Sequence, residues 1–305
     1  MLLLKQMIIL FLLMAVGFIC KKRGILTAEG SKCVSAIVVN VANPALVLSA
    51  SINKESTIMG MDLLKTVGLA LGVYVVLIVL AYVIPHLLRC DKKTAKSYRV
   101  MTVFSNIGFM GFPLLNAMYG STSLLYASIF TIPYNVLIYT WCISTLDDSD
   151  GNIRGIAWGK IFNIGVIACI ATIIIYLFRI PMPEFVETTV NHLSGLTAPL
   201  SMIIIGGMLA DMELKSLFTD IRLIIFMAAK LIIIPIIGIV IIRLLGVDDM
   251  LLGVCLVMLA TPVGSMTAML AKQYTDNSEL VVKGVALSTL LSVATMPLVS
   301  WFLSM

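Results

Sequence analysis

The sequence predicts an all-α membrane protein with about ten transmembrane helices. Of its 305 residues, 60% are hydrophobic and only 12% are charged, whereas soluble domains contain about 25% charged residues. Because so few charges cannot cover the surface of a soluble domain of this size, the composition excludes a soluble enzyme. One membrane span and its loop together need about 30 residues, so the length accommodates about ten spans and no large soluble domain.

Ten hydrophobic segments along the chain account for the predicted helices. Their long, continuous apolar runs favour helices over the short alternating strands of a membrane barrel. The first segment has its basic cluster after the apolar run rather than before it, so we interpret it as a retained helix and not as a signal peptide. Numbered 1 to 10, the segments are Leu2–Cys20, Cys33–Ser51, Leu63–Leu88, Tyr98–Tyr119, Ser123–Leu146, Gly155–Phe178, Thr188–Ala210, Ile221–Leu245, Met250–Ala271 and Glu279–Leu303.

The distribution of basic residues predicts the orientation of the chain. Fifteen lysines and arginines fall in or beside the connections that follow the odd-numbered segments, and five fall on the opposite side. Because basic residues concentrate in cytoplasmic loops, both termini are predicted to lie outside a cell membrane. The net charge of +5 is therefore a signal of topology and does not indicate nucleic-acid binding. The remaining basic residue, Lys230, lies in the middle of segment 8.

Matching prolines indicate an internal repeat. Pro44 and Pro199 are 155 residues apart, and Pro113 and Pro262 are 149 residues apart. Two tandem repeats of five helices each must have opposite orientations, which is a common plan of transporters. Chance alignment is the alternative, since most prolines of the chain lie in apolar runs. The predicted 5+5 inverted repeat consists of residues 1–150 and residues 151–305.

Segments 4 and 9 are predicted to be broken helices that cross within the membrane. Proline removes a backbone donor, and an interrupted helix is tolerated at membrane depth only where protein or a watery cavity covers it. The exposed helix N-termini would suit an anion. Alternatively, glycine and proline simply allow close packing of membrane helices. The candidate substrate-binding residues of these segments are Asn106, Gly108, Gly111, Pro113, Thr261, Pro262 and Ser265.

Further polar and proline residues are candidates on neighbouring segments. Tyr134 and Asn135 follow Pro133 in segment 5, beside the predicted crossing. In segments 2 and 7, a second set could line the opposite side of the site, or it could belong to kinked helices without a binding role. Any of the polar side chains could instead make an ordinary interhelical hydrogen bond. The second set is Asn43, Pro44, Pro199 and Ser201.

Lys230 is the ionisable side chain that lies deepest in a predicted span. A charge at the centre of a membrane helix costs about 2.5–3.5 kcal/mol on insertion scales, so it is a candidate functional residue. It could compensate backbone carbonyls at the helix crossing in place of a sodium ion, contact an anionic substrate, or release a proton during transport. The structural alternative is a lysine that extends to the membrane surface.

The sequence offers no support for metal, cofactor or enzyme chemistry. Its two histidines, His86 and His192, lie far apart, and its six cysteines lack the spacing of metal ligands. The acidic residues lie in connections or at segment ends, which argues against an intramembrane aspartyl protease and weakens a sodium/proton antiporter. We therefore expect neither catalysis nor a metal or cofactor site.

Several motifs together resemble the auxin efflux carrier family, which includes plant auxin exporters and bacterial malate permeases. The stretch NIGFMGFPLLNAMYG at 106–120 resembles the fourth helix of that family, and the end of the chain from Leu270 to Leu303 resembles the family's ending. NPALVLSA at 43–50 and the spacing of Lys230 and Pro235 also fit. The short central connection at 147–154 is similar to compact bacterial members and unlike plant exporters, which argues against auxin as a substrate.

The resemblance implies a two-part architecture. Segments 1, 2, 6 and 7 would form a scaffold that pairs into a homodimer, and segments 3–5 and 8–10 would form a mobile transport unit. Transport would follow an elevator mechanism. The expected function is secondary active transport of a small organic anion such as malate, with proton coupling as an option. The alternatives are a membrane-embedded sensor that binds the same ligand and an anion channel.

Overall fold

The computed structural model of the chain describes residues 2–52, 60–147, 164–211, 217–275 and 277–304, and these ranges are helical with short connections. The first part of segment 6 lies outside the described residues. Segments 4 and 9 each comprise two helices. The helices of eight or more residues are α1 (Leu2–Lys22), α2 (Ala28–Ile52), α3 (Gly60–Leu87), α4 (Lys92–Val103), α5 (Ile107–Tyr119), α6 (Ser121–Leu146), α7 (Ile164–Leu177), α8 (Glu184–Ala210), α9 (Ile221–Leu244), α10 (Asp249–Ala260), α11 (Ser265–Tyr274) and α12 (Ser278–Ser304).

Six helices of the described chain are long and apolar enough to cross a membrane, namely α2, α3, α6, α8, α9 and α12. The most apolar stretch of α3 has a mean hydropathy of 2.8, yet only 22% of it is buried inside the protein. Its outward side chains include Val75, Val76 and Val79, which are more than half exposed. A water-soluble protein does not expose so continuous an apolar face, so the prediction of an all-α membrane protein is confirmed.

The helices pack in two groups. The first group contains α1, α2, α7 and α8, and the second contains α3 to α6 together with α9 to α12. The two groups also contact each other, mainly where α6 packs against α2 and α7. Within the first group, α1 and α8 touch backbone to backbone through glycines. A Cβ atom on Gly17 would lie 2.6 Å from the Cα of Ile203, and one on Gly206 would lie 2.8 Å from the carbonyl carbon of Met14. Small residues allow such close approach of membrane helices.

Three helices contain a widened π turn that ends two residues before a proline. Proline lacks an N–H group, and its ring clashes with the carbonyl four residues earlier. A π turn accommodates both effects locally, and such turns are frequent at functional sites. Lys230, Gly108 and Gly111 lie within these turns, and Asn43 directly follows one of them. The turns are Val38–Ala42 before Pro44, Ile107–Gly111 before Pro113, and Ala229–Ile233 before Pro235.

Candidate functional site

The gap between α4 and α5 meets the gap between α10 and α11 inside the second group of helices. Ser105 and Val263 form a single antiparallel bridge there. The Asn106 N–H donates to the carbonyl oxygen of Pro262 at 2.7 Å. The Gly264 N–H donates to the carbonyl oxygen of Phe104 at 2.9 Å. We call these two interruptions and their bridge the helix crossing.

Glycine at position 264 suits the closeness of the two backbones, because a side chain there would make tight contacts. A Cβ atom there would lie 3.0 Å from the carbonyl oxygen of Ser105 and 3.2 Å from the Tyr134 hydroxyl oxygen. Tyr134 therefore reaches the crossing, and its ring packs edge-on against Phe104 with centroids 5.4 Å apart. The Asn135 side chain instead donates to the carbonyl oxygen of Thr131 in its own helix at 2.9 Å.

Lys230 replaces a donor that the interruption removes from α4. In a continuous helix, the carbonyl of Thr102 would accept the N–H of Asn106, but that N–H is bonded to Pro262. The Lys230 ammonium instead donates to the Thr102 carbonyl oxygen at 3.1 Å and to Ser105 Oγ at 2.8 Å. Lys230 is fully buried, and no other charged side chain is buried in the described part of the chain.

Neutral hydroxyl groups perform the corresponding task at the end of α10. The carbonyl of Met258 would normally accept the N–H of residue 262, which is a proline, and Thr261 Oγ1 donates to it at 3.3 Å. The N–H of Val263 donates to Ser288 Oγ on α12 at 3.0 Å. The two broken ends are thus stabilised differently, by a lysine on one side and by hydroxyls on the other.

Polar groups without partners lie between the two groups of helices. Asn43 on α2 faces α5, because its Nδ2 lies 3.4 Å from where a Cβ on Gly108 would be. The Oδ1 of Asn43, the Nδ2 of Asn106 and the hydroxyls of Thr197 and Ser201 on α8 are buried without a hydrogen-bond partner. Such groups are costly to bury without a partner, and two of them, on Asn43 and Asn106, lie where α2 faces the start of α5.

The remaining candidates from the sequence occupy supporting positions. Gly111 and Pro113 are buried in α5, and the interruption of segment 4 lies before them, at Phe104–Asn106. Ser265 is the buried first residue of α11. Pro44 is buried in α2. Pro199 is half-buried in the first turn of the stretch Thr197–Ala210 of α8, two residues before Ser201.

Three residues that bond at the crossing are not among the candidates predicted from the sequence. Thr102 and Ser105 accept from Lys230, and Ser288 holds the backbone of Val263. A signal for Ser288 exists, because α12 carries hydroxyls at helical spacing at Ser288, Ser292 and Thr295. Thr102 takes part through its main-chain carbonyl, for which no side-chain signal could exist.

A small cavity of about 10 Å³ adjoins the crossing and is lined by Tyr74, Ser105 and Met258, among others. A volume of this size accommodates about one water molecule. An organic ion is too large for it, so ligand entry at this place requires the helices to move apart.

Taken together, the apolar outer faces and the long apolar helices define an all-helical membrane protein. The chain belongs to the membrane transport protein family, the auxin efflux carrier family, whose model matches residues 2–300. The predicted family is therefore confirmed, and the chain is classed with transporters rather than enzymes.

Two archaeal relatives extend over nearly the whole chain. A protein of Methanocaldococcus jannaschii named as an uncharacterized transporter is 24% identical over 97% of this chain and 97% of its own length. A second protein with that description, from Methanothermobacter thermautotrophicus, is 24% identical over 94% of this chain and 93% of its own length. The similarity therefore covers nearly the whole length of this chain and of both relatives.

Proposed function

We propose that the protein is a secondary active transporter of a small organic anion, with a carboxylate bound beside the helix crossing. The observation that carries the proposal is the fully buried Lys230 at the helix crossing, where the N-termini of α5 and α11 meet beside the unpartnered amide of Asn106. Unpaired N–H groups at helix N-termini attract anions. Asn106 Nδ2 adds a side-chain donor at the same place.

A charge count supports an anionic substrate and suggests how much negative charge it carries. Each helix end carries about half an elementary charge, positive at N-termini and negative at C-termini. The N-termini of α5 and α11 and the C-termini of α4 and α10 cancel, and Lys230 then leaves a net charge of about +1. One carboxylate neutralises this charge. A dicarboxylate such as malate would need one more positive charge, which a co-transported proton would supply.

Neutral side chains with unpartnered polar atoms suggest how the substrate is held between the two helix groups. Asn43 and Ser201 belong to the first group and Asn106 to the second, and all three have unpartnered polar atoms. A substrate that bonds to both sides would stabilise the closed arrangement. In this proposal, the second group moves against the first as an elevator, in keeping with the predicted scaffold of segments 1, 2, 6 and 7.

The inverted repeat, the ten-helix count and the outside location of both termini belong to the same proposal. Homodimer formation does as well. The first halves of α2 and α8, Ala28–Ile37 and Glu184–Gly195, contain no buried residue in the single chain and are amphipathic. A second copy packed on these faces would cover them.

The first experiment is a thermal-stability screen of the purified protein with acetate, lactate, succinate, malate and citrate. We expect monocarboxylates, and dicarboxylates at lower pH, to raise the unfolding temperature. Any ligand found is then tested for uptake into proteoliposomes. Stabilisation by cations or neutral sugars, with no response to any carboxylate, would contradict the proposal.

Counterflow separates a carrier from the alternatives. A carrier takes up labelled substrate faster when unlabelled substrate is loaded on the other side of the membrane. A channel shows no such acceleration, and a sensor binds the ligand without uptake.

A cysteine cross-link tests the proposed movement. Ser128→Cys on α6, which contacts the native Cys169 of α7, joins the two helix groups, and we expect oxidation to stop uptake and a reductant to restore it. The control pair, Met101→Cys with Gly284→Cys, joins residues that touch within the second group and is expected to leave uptake unchanged. Equal uptake with the first pair oxidised or reduced would exclude an elevator step between these surfaces.

A further inference from the structure

A lipid-facing notch lies where α3, α4 and the end of α6 meet. The guanidinium group of Arg99 on α4 stacks on the ring of Tyr82 on α3, 4.5 Å from its centroid. The ring of Trp141 on α6 meets Tyr82 edge-on, with centroids 6.3 Å apart. Tyr82 is 48% exposed, and Arg99 and Trp141 are half-buried. The notch is therefore open on the face that meets the bilayer.

Arg99 lacks the anionic partner that a half-buried arginine normally has. Its Nε is buried without a hydrogen-bond partner, and no carboxylate of the described residues pairs with it. Arginine presents a rigid fork of donors that matches the oxygens of a phosphate. A half-buried guanidinium with an unpartnered donor beside this opening can accommodate an anion from outside the chain.

The surroundings favour a lipid headgroup as that anion. Tyr and Trp side chains concentrate at the level of the headgroups. Arg89, Lys92 and Lys93 lie exposed around the end of α3 and the start of α4. The nearby acid Asp91 is engaged in capping α4, where its Oδ2 accepts the N–H groups of Lys93 and Thr94 at 3.1 and 3.3 Å. The local field therefore attracts negative charge.

We propose that the notch formed by Tyr82, Arg99 and Trp141 binds the phosphate headgroup of an anionic phospholipid of the bilayer. Arg99 holds the phosphate by bidentate hydrogen bonds, and the two aromatic rings pack against the glycerol region. The bound lipid stabilises the contact of α3 with α4, which leads directly to the helix crossing. This site is independent of the transported substrate.

The test measures lipid preference in the intact protein. Delipidated protein in detergent is titrated with phosphatidylglycerol or phosphatidylcholine, and bound lipids are counted by native mass spectrometry alongside the unfolding temperature. We expect the wild type to prefer phosphatidylglycerol. We expect Arg99→Gln to bind phosphatidylglycerol about tenfold or more weakly, because it loses the charge-assisted hydrogen bonds to the phosphate.

Matched controls separate a specific notch from general surface charge. Lys93→Gln removes an exposed charge from the same helix, and Arg243→Gln removes one from the end of α9. Both residues lie outside the notch and make no hydrogen bond to the proposed phosphate, so both variants are expected to change phosphatidylglycerol binding less than twofold. An equal loss in Arg99→Gln and Lys93→Gln, or a wild type without preference, would overturn the proposal. If Arg99→Gln does not fold, Arg99→Lys decides the matter. It keeps the charge but loses the fork, so it must weaken the binding of phosphatidylglycerol, and unchanged binding would overturn the proposal.

Discussion

Replacing Lys230 by methionine separates the contribution of this residue to stability from its electrostatic contribution to anion binding. Methionine has a similar length and leaves no large cavity, whereas Lys230→Ala would add a packing cost of about 2–5 kcal/mol. The methionine variant loses two charged hydrogen bonds, to Thr102 and Ser105, each contributing about 1.5–3 kcal/mol. It also avoids the cost of burying an ammonium ion, which is several kcal/mol.

The two free-energy terms are of similar size and opposite sign, so they largely cancel. We expect the free energy of unfolding to change by less than about 2 kcal/mol, which shifts the unfolding temperature of a chain of this size by no more than about 8 °C. Lys230→Met should therefore remain folded and can be purified for transport measurements.

Anion transport should respond much more strongly than stability. In the proposed site, loss of Lys230 lowers the net charge of the crossing from about +1 to about zero. For an anion on the order of 10 Å away at an effective dielectric constant of about 20, the lost attraction is about 1.7 kcal/mol, or about 17-fold in affinity. The assay is counterflow in proteoliposomes, with ligand-induced stabilisation as a second measurement.

Thr102→Val provides the control for the methionine variant. It removes a hydroxyl that bonds only to the carbonyl of Tyr98 in its own helix, and it keeps the carbonyl that Lys230 contacts. Uptake by this control should stay close to that of the wild type. If Lys230→Met transports the anion with unchanged affinity and unchanged pH dependence, the electrostatic role of Lys230 is refuted.

Three further predictions concern stability and topology. Ser288→Ala leaves the buried N–H of Val263 without its acceptor, and we expect a loss of about 1–3 kcal/mol as a lower unfolding temperature. Gly206→Ala forces α1 and α8 apart and should cost about 1–3 kcal/mol, whereas Gly72→Ala, in open surroundings within α3, should be neutral or stabilising. A single cysteine at Lys93 should react with a membrane-impermeant reagent only from the cytoplasm, and an N-terminal tag only from outside.

Each of these predictions has an outcome that contradicts it. Ser292→Ala is the control for Ser288, because the Ser292 hydroxyl donates within its own helix to the carbonyl oxygen of Thr289 at 2.7 Å, and its contact outside that helix is a long one, to Met110 Sδ at 4.0 Å. Equal effects of the two serine variants would show that Ser288 does not support the crossing. A Gly206→Ala protein as stable as Gly72→Ala would exclude backbone contact between α1 and α8. Labelling with the opposite sidedness would reverse the proposed topology.

The sequence allowed the helical class and Lys230 to be predicted because both follow from the cost of placing charge in an apolar environment. One lysine within a long apolar run stands out without any knowledge of its neighbours. Asn106, Thr261 and Pro262 were found on similar grounds, as polar or helix-breaking residues within a span. Their contacts at the crossing depend on the second interrupted helix.

The position of the interruption in segment 4 could not be predicted from local preferences. Glycine and proline at Gly108, Gly111 and Pro113 suggested a break near them, but α5 runs through all three and the gap lies at Phe104–Asn106. The π turn absorbs the effect of the proline, while pairing with Pro262 and Val263 determines where the backbone leaves the helix. That pairing is a tertiary contact between residues more than 150 positions apart in the chain.

The two interrupted helices are stabilised by different groups, one charged and the others neutral. This difference determines the sign of the charge at the proposed site. Two helices interrupted at the same depth present two positive and two negative ends, so their helix dipoles cancel. With hydroxyls on both sides, the crossing would have no preference for anions over cations. Here Thr261 and Ser288 support the α10 side without charge, and Lys230 supports the α4 side with one. The residue that repairs the backbone of α4 is therefore also the one that makes the crossing favour an anion.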